Sequence, residues 1–326
     1  MNAPPIIPPL PPRLSPRALA KPLPPIDLQL LADLPNLALQ ARCLVDGFLG
    51  GRHRSPQKGS SVEFAEYRGY QFGDDLRRVD WRLFGRTDRL HVKQFEEETQ
   101  LRVFLVLDGS ASMDFKSVAP RVGPSADRAP MNKLEFARLV LAAIGALAQR
   151  QGDAFGLAVV GTELVDFLRA RSTALHWQAL IGRLEAVRPG GETALAPALE
   201  ALAEIIPPRS LVVVVSDFYE DPALLQSALR RLRYDQHDLI GLPVFDPLEI
   251  DFAQDLTGTF LDAETGTRLK LDAPAVRRGY LERFNRFCAE LDGMFHDVDG
   301  DLERLRTDQP PIAALARYLA RREQRM

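Results

Sequence analysis

Three short stretches bring carboxylates and hydroxyls to the ends of apolar runs or the start of a helix. Val103 to Leu107 ends in Asp108-Gly109-Ser110-Ala111-Ser112, and Ser210 to Val215 ends in Ser216-Asp217. Gly190-Gly191-Glu192-Thr193 comes just before a helical pattern that begins at Ala194. Asp108 and Asp217 supply two carboxylates; Ser110, Ser112 and Thr193 supply hydroxyls. These are hard oxygen donors, suited to Mg²⁺, Mn²⁺ or Ca²⁺ rather than to zinc. Two carboxylates neutralise a divalent ion, and hydroxyls complete the shell without excess charge. A position then stays open for water or an outside ligand. The alternative use of the same residues is to cap turns and helix N-termini.

Ser110 or Ser112 could instead serve as the nucleophile of a serine hydrolase-like enzyme. That chemistry needs a histidine base and an oxyanion hole. The five histidines are His53, His91, His176, His237 and His296, and only His296 comes near a predicted strand end on the same edge. Gly109-Ser110 also lacks the second glycine of a nucleophile elbow. No phosphate loop of the Gly-x-x-x-x-Gly-Lys type occurs, so nucleotide hydrolysis is not expected of this chain. The reading favoured here is therefore non-enzymatic.

The elements that must position these residues alternate. Strands are predicted at Val103 to Leu107, Phe155 to Val160, Leu164 to Arg169, Ser210 to Ser216, Leu239 to Phe245 and Met294 to Val298. Helices are predicted at about Leu28 to Phe48, Lys133 to Gln151, Thr173 to Val187, Ala194 to Ile206, Pro222 to Arg233, Ala275 to Leu291 and Ile312 to Arg322. Such alternation means an α/β fold: a mostly parallel central sheet with helices on both faces. In an open sheet of this kind ligands bind beyond the carboxyl ends of the strands, where the three stretches are predicted to lie. Thr257 to Leu261 and Arg268 to Leu271 flank Asp262 to Gly266 as a hairpin, so a small β insertion is expected at about 250–272.

The Asp-x-Ser-x-Ser spacing resembles the metal-ion-dependent adhesion site of von Willebrand factor type A domains, and the element order from Arg102 onward fits that fold. On this resemblance Asp108, Ser110 and Ser112 form the first metal loop, Thr193 the second and Asp217 the third. The hydroxyls would bind the ion directly or nearly so, and the carboxylates directly or through water.

Upstream, Glu63 to Glu98 interleaves charge with Phe64, Tyr67, Tyr70, Phe72, Trp81, Phe84 and Phe95. Acids interspersed among the arginines disfavour RNA, so an internal network of ion pairs and stacked rings is expected. Asp74 or Asp75 is expected to cap a helix that runs to about Phe84 and closes at Gly85. Gly73-Asp74-Asp75-x-Arg77-x-x-Asp80-Trp81-Arg82, then Arg86-Thr87 and Val92-Lys93-x-Phe95-Glu96-x-Glu98, resembles the signature of the bacterial domain of unknown function 58 family. Gln151-Gly152-Asp153-x-x-Gly156-Leu157 and Asp262-x-Glu264-Thr265-Gly266 are similar to family text as well. The resemblance implies a type A-like domain that partners a MoxR-type AAA+ ATPase as adaptor or cofactor in assembling or activating protein complexes. An unidentified client protein would offer an acidic side chain to the metal. Many members of that family carry transmembrane helices.

Composition agrees with a soluble α/β protein. The 326 residues carry 41 Lys plus Arg against 44 Asp plus Glu, a net charge of −3, which speaks against nucleic acid as a partner. Two cysteines, Cys43 and Cys288, exclude a disulfide framework and a four-cysteine zinc site. Ten of the 25 prolines fall between Pro4 and Pro25, so residues 1–25 are expected to form a flexible extended tail. Residues 26–100 are then a signature region packed on the main domain, 101–326. No apolar run reaches the roughly 20 residues that span a bilayer. A cytoplasmic location is expected, with room for peripheral membrane association.

Overall fold

The computed structural model describes residues 34, 36–51, 64–70, 79, 81–95, 101–117, 131–191, 194–252, 257–261 and 268–323. The chain begins with helix α1 (Leu37–Gly51), β1 (Phe64–Gly69), a short helix α2 (Trp81–Thr87) and β2 (His91–Phe95), which pairs antiparallel with β1. Alternation then sets in with β3 (Arg102–Asp108), α3 (Lys133–Arg150), β4 (Ala154–Val160), β5 (Leu164–Arg171), α4 (Ala174–Ala186) and α5 (Leu195–Ile205). It continues through β6 (Leu211–Ser216), α6 (Pro222–Tyr234), β7 (Asp238–Phe245) and α7 (Pro247–Asp251). An antiparallel pair, β8 (Thr257–Leu261) and β9 (Arg268–Asp272), precedes the long α8 (Ala273–Asp297). Two short strands, β10 (Asp301–Leu302) and β11 (Leu305–Arg306), and helix α9 (Ile312–Glu323) complete it.

The main sheet runs β10-β7-β6-β3-β4-β5, with β11 also on β7. Every pairing in it is parallel except β4 with β5. The four inner strands are nearly all apolar because both of their faces are covered. Alternation of side chains splits them between two cores. Val103, Leu105, Leu107, Val213 and Val215 face α1, α3, α4 and α9; Phe104, Val106, Val212 and Val214 face α5, α6 and α8. β5, at the edge, alternates exposed and half-buried positions and carries Asp166, Arg169 and Arg171. This is the mostly parallel, doubly covered sheet expected of a type A-like domain.

Two expectations need correction. Met294 to Val298 is not a strand: α8 runs through it to Asp297, since Leu291, Phe295 and Val298 recur at helical spacing and pack into the second core. The edge strands that follow are two residues each, too short to leave a periodic signal. In the signature stretch, the described helix is Trp81–Thr87, with Gly85 inside it rather than closing it. Asp74, Asp75, Arg77 and Asp80 lie outside the described residues, as do the Pro-rich tail and the turn 262–267. Trp81 is exposed and touches Phe84 edge-on. Helix α1 buries Leu37, Ala41, Leu44, Val45 and Phe48 in the first core, so this part of the N-terminal region is fastened by apolar packing. Among the described residues no helix is long and apolar enough to cross a membrane.

Candidate metal-binding site at the carboxyl edge of the sheet

The chain proceeds from β3 to β4 on one side and returns to β6 on the other, so the sheet order reverses at β3, the kind of place where ligands bind. Leu107 pairs with Val215, which puts Asp108 beside Ser216. Asp108 is fully buried. Its Oδ1 accepts the backbone N–H of Ser110 at 2.9 Å, and its Oδ2 accepts the Ser216 hydroxyl at 2.6 Å. Burial, with the negative charge of Asp217 beside it, holds the Asp108 carboxyl above the ordinary carboxylate range, although Ser216 and Ser110 pull the other way.

The hydroxyls of Ser110 and Ser112 are 3.0 Å apart. Mg²⁺ holds oxygens at about 2.1 Å in an octahedron, so two ligands at right angles lie about 3.0 Å from each other. The two hydroxyls hydrogen-bond each other at that distance, which is also the separation of two neighbouring ligands on one such ion, and the donor set is all oxygen. Among the described residues no three Asp, Glu, His or Cys side chains form a group that could hold a metal, so an ion here depends on the serine hydroxyls.

The third loop is strained. Phe218 follows Asp217 with φ 59°, a left-handed conformation that costs a bulky residue about 1–3 kcal/mol. Its N–H is held by the Ser216 hydroxyl at 2.8 Å, and its buried ring meets Phe295 edge-on. The next acid, Glu220, accepts the Ala196 N–H at 2.8 Å and so caps α5, whose own N-cap, Ala194, has no side chain for the task. Thr193 lies outside the described residues. Its near neighbours are tied to the first loop: Gly190 N–H donates to Gly109 O, and Ala111 N–H donates to Gly191 O, both at 3.0 Å. Gly191 adopts φ 74°, which glycine accepts freely. A cavity of about 340 Å³ opens against this loop, lined by Gly109, Val160, Val165, Arg183, Val187 and Gly191 among others.

Asp217 is buried and already has a cationic partner. Lys133, the first residue of α3, sends its ammonium to Asp217 Oδ2 at 2.7 Å and to Glu249 Oε1 at 3.0 Å. The Phe115 and Tyr219 rings lie 5.7 and 5.4 Å from it. Burial opposes the charge on Lys133, but Asp217 and Glu249 outweigh it and hold the amine above its ordinary range. Lys133 is therefore a fixed cation and not a general base. Glu249 is itself oriented by the capping box of α7, its Oε2 accepting the Asp246 N–H at 2.7 Å.

The structure thus brings Asp108, Ser110 and Ser112 together on one loop, with Asp217 on the adjoining strand end. Sequence reasoning missed Lys133, Glu249 and Glu220, and did not assign Ser216 a role. One signal was readable: a lysine in the first turn of a helix opposes the macrodipole, so it implies another partner. For a serine nucleophile the described histidines lie elsewhere. His176 meets Phe155 O, His237 accepts the Ser210 N–H at the far end of β6, and His296 is exposed on α8. His53 and the side chain of His91 are outside the described residues.

A family model described as protein of unknown function DUF58 matches residues 66–288. Uncharacterized proteins of Mycobacterium tuberculosis and Mycobacterium bovis are 29% identical over 301 residues, which cover 91% of this chain and 90% of theirs. Among solved structures, a conserved hypothetical protein BatB from Bacteroides thetaiotaomicron is similar with a TM-score of 0.44 and 15% identity, over 69% of this chain and 99% of that one. The SpRpn10 VWA domain has a TM-score of 0.40 and 11% identity, over 67% of this chain and 95% of that one.

Proposed function

The chain belongs to the DUF58 family, and on that premise we propose that it is a metal-dependent protein-interaction module without chemistry of its own. The observation that carries the reading is the pair of serine hydroxyls 3.0 Å apart above the buried Asp108. When bound, a divalent ion, Mg²⁺ by preference, would supply Lewis acidity and a free coordination position. Ser110, Ser112 and Asp108 would hold it, with Asp217 and Thr193 in support. A partner's carboxylate would take the free position. Such a contact in a partly desolvated crevice discriminates more strongly than a surface ion pair.

The partner class proposed on the family resemblance is a MoxR-type AAA+ ATPase, which this chain would couple to a client protein on the cytoplasmic side. No step of the role requires catalysis by Ser110, and the buried Lys133 ammonium is not a base for it. The test is co-purification with a MoxR-type ATPase, with and without EDTA, for the wild type and Asp108→Ala. Complex formation that falls with EDTA and with the substitution supports the reading. A complex indifferent to both keeps the partnership and discards the metal; no complex in any nucleotide state discards the adaptor role.

A further inference from the structure

We propose that Lys133 is an internal competitor for the ion at this site, a residue that sets how tightly and how selectively a divalent cation is held. The inference rests on the metal reading above and deepens it. The buried Lys133 ammonium lies between Asp217 and Glu249, and the buried Asp108 stands on the same edge beside Asp217. Lys133 is 1% exposed and bonded to both Asp217 and Glu249, so it cannot leave Asp217 for water. An ion that draws on Asp217 Oδ1, which among the described residues takes only the Tyr219 N–H at 3.4 Å, brings a second cation to a carboxylate whose Oδ2 the ammonium holds at 2.7 Å, and repulsion pushes the ammonium toward Glu249, 3.0 Å away.

Linkage makes the effect reciprocal: whatever Lys133 subtracts from ion binding, the ion subtracts from the hold of Lys133 on Asp217. The ammonium also gives the site a default state. With Lys133 seated, Asp217 is compensated and the fold does not depend on an ion. The shift has somewhere to go. Glu249 starts from the α7 capping box, and Tyr280 of α8 donates its hydroxyl to Glu249 O at 2.8 Å. Asp246 of the same box accepts the Ser117 N–H at 3.1 Å, which ties α7 back to the segment after the first metal loop. Ion uptake is thus registered at Glu249, whose side chain belongs to the α7 capping box and whose main-chain carbonyl is held by α8.

The experiment is ion binding by the full chain, with Mn²⁺ read by electron paramagnetic resonance and Mg²⁺ by calorimetry. Lys133→Met should bind Mn²⁺ about tenfold tighter than wild type, and Glu249→Gln, which removes the charge of one of the ammonium's two carboxylate partners, should bind it more weakly. Since Lys133→Met strands two buried carboxylates, the wild type supplies a second measurement. The ¹⁵N resonance of the Lys133 ammonium should move on Mg²⁺ addition, in step with occupancy. Equal affinity in wild type and Lys133→Met, or saturation with Mg²⁺ that leaves the ammonium resonance in place, overturns the inference alone. Ion binding that survives Asp108→Ala, or is absent from wild type and Lys133→Met alike, overturns the metal reading and this inference with it.

Discussion

Two buried ionic clusters sit at opposite ends of the same sheet, and they are built differently. At the amino edge, Asp153 precedes β4 and is 1% exposed. Its oxygens accept the Arg322 guanidinium at 2.5 Å, the Tyr318 hydroxyl at 3.3 Å and the Leu101 N–H at 3.3 Å. The carboxylate takes the Arg322 guanidinium on both oxygens, and the contact clamps α9 to the turn before β4. At the carboxyl edge two carboxylates, Asp217 and Glu249, share one ammonium, both oxygens of the neighbouring Asp108 take hydrogen bonds, and the backbone is strained at Phe218. Balanced charge with every lone pair used is a fastener. Carboxylates beside serine hydroxyls that bond one another are the donor set on which the proposed cation site rests, and strain of this kind gathers at functional sites.

The strongest way to break this contrast is at the fastener. Asp153→Ala takes a carboxylate away from a half-buried guanidinium and a buried phenol, and should cost about 3–5 kcal/mol in urea denaturation while the folded fraction keeps its ion affinity. A change in ion affinity would mean that the two ends are coupled. At the other end the effects should invert. Asp108→Asn removes a carboxylate whose ionisation burial disfavours, so stability should change by less than about 1 kcal/mol, or rise, while calorimetric Mg²⁺ binding disappears. A large loss of stability would make Asp108 a fastener too.

Smaller effects sharpen the picture. Ser216→Ala removes the 2.6 Å hydrogen bond that orients Asp108 and should weaken Mn²⁺ binding about tenfold, as loss of an outer-sphere partner does. Unchanged Mn²⁺ affinity would free Asp108 from Ser216. The smallest effect belongs to His176, which lies in neither cluster. Burial holds its imidazole below the ordinary value of 6.5, with Arg171 and Arg183 adding to the shift and the Phe155 carbonyl opposing it. The unfolded chain then binds the extra proton more readily, so this contribution to stability is complete above about pH 6.5 and is lost as the pH falls below it. A pH series of thermal melts should show that slope in the wild type and a flatter one in His176→Gln.

What could be read from the chain was local. The apolar runs that end in Asp108 and in Ser216-Asp217 announce buried parallel strands, and the residues after a strand end fall at the sheet's carboxyl edge whatever the loops do. That logic located Asp108, Ser110, Ser112 and Asp217 without coordinates. The same logic failed at Met294 to Val298, where a short apolar run fits either period and only its contact with the second core decides for helix.

The sequence by itself determined the order of the inner strands and of the long helices that cover them, and which oxygen-bearing residues stand at their ends, because strand and helix periods and caps act over a few residues. Tertiary structure alone decided who neutralises whom. Lys133 looks like an ordinary first-turn residue behind the Asn132 capping box, and Glu249 like the acidic half of another box. They meet Asp217 across 84 and, through Lys133, 116 residues of chain. Nothing local encodes that meeting. It follows from the packing of α3 and α7 against the ends of β6 and β7, which no periodicity of a single segment records.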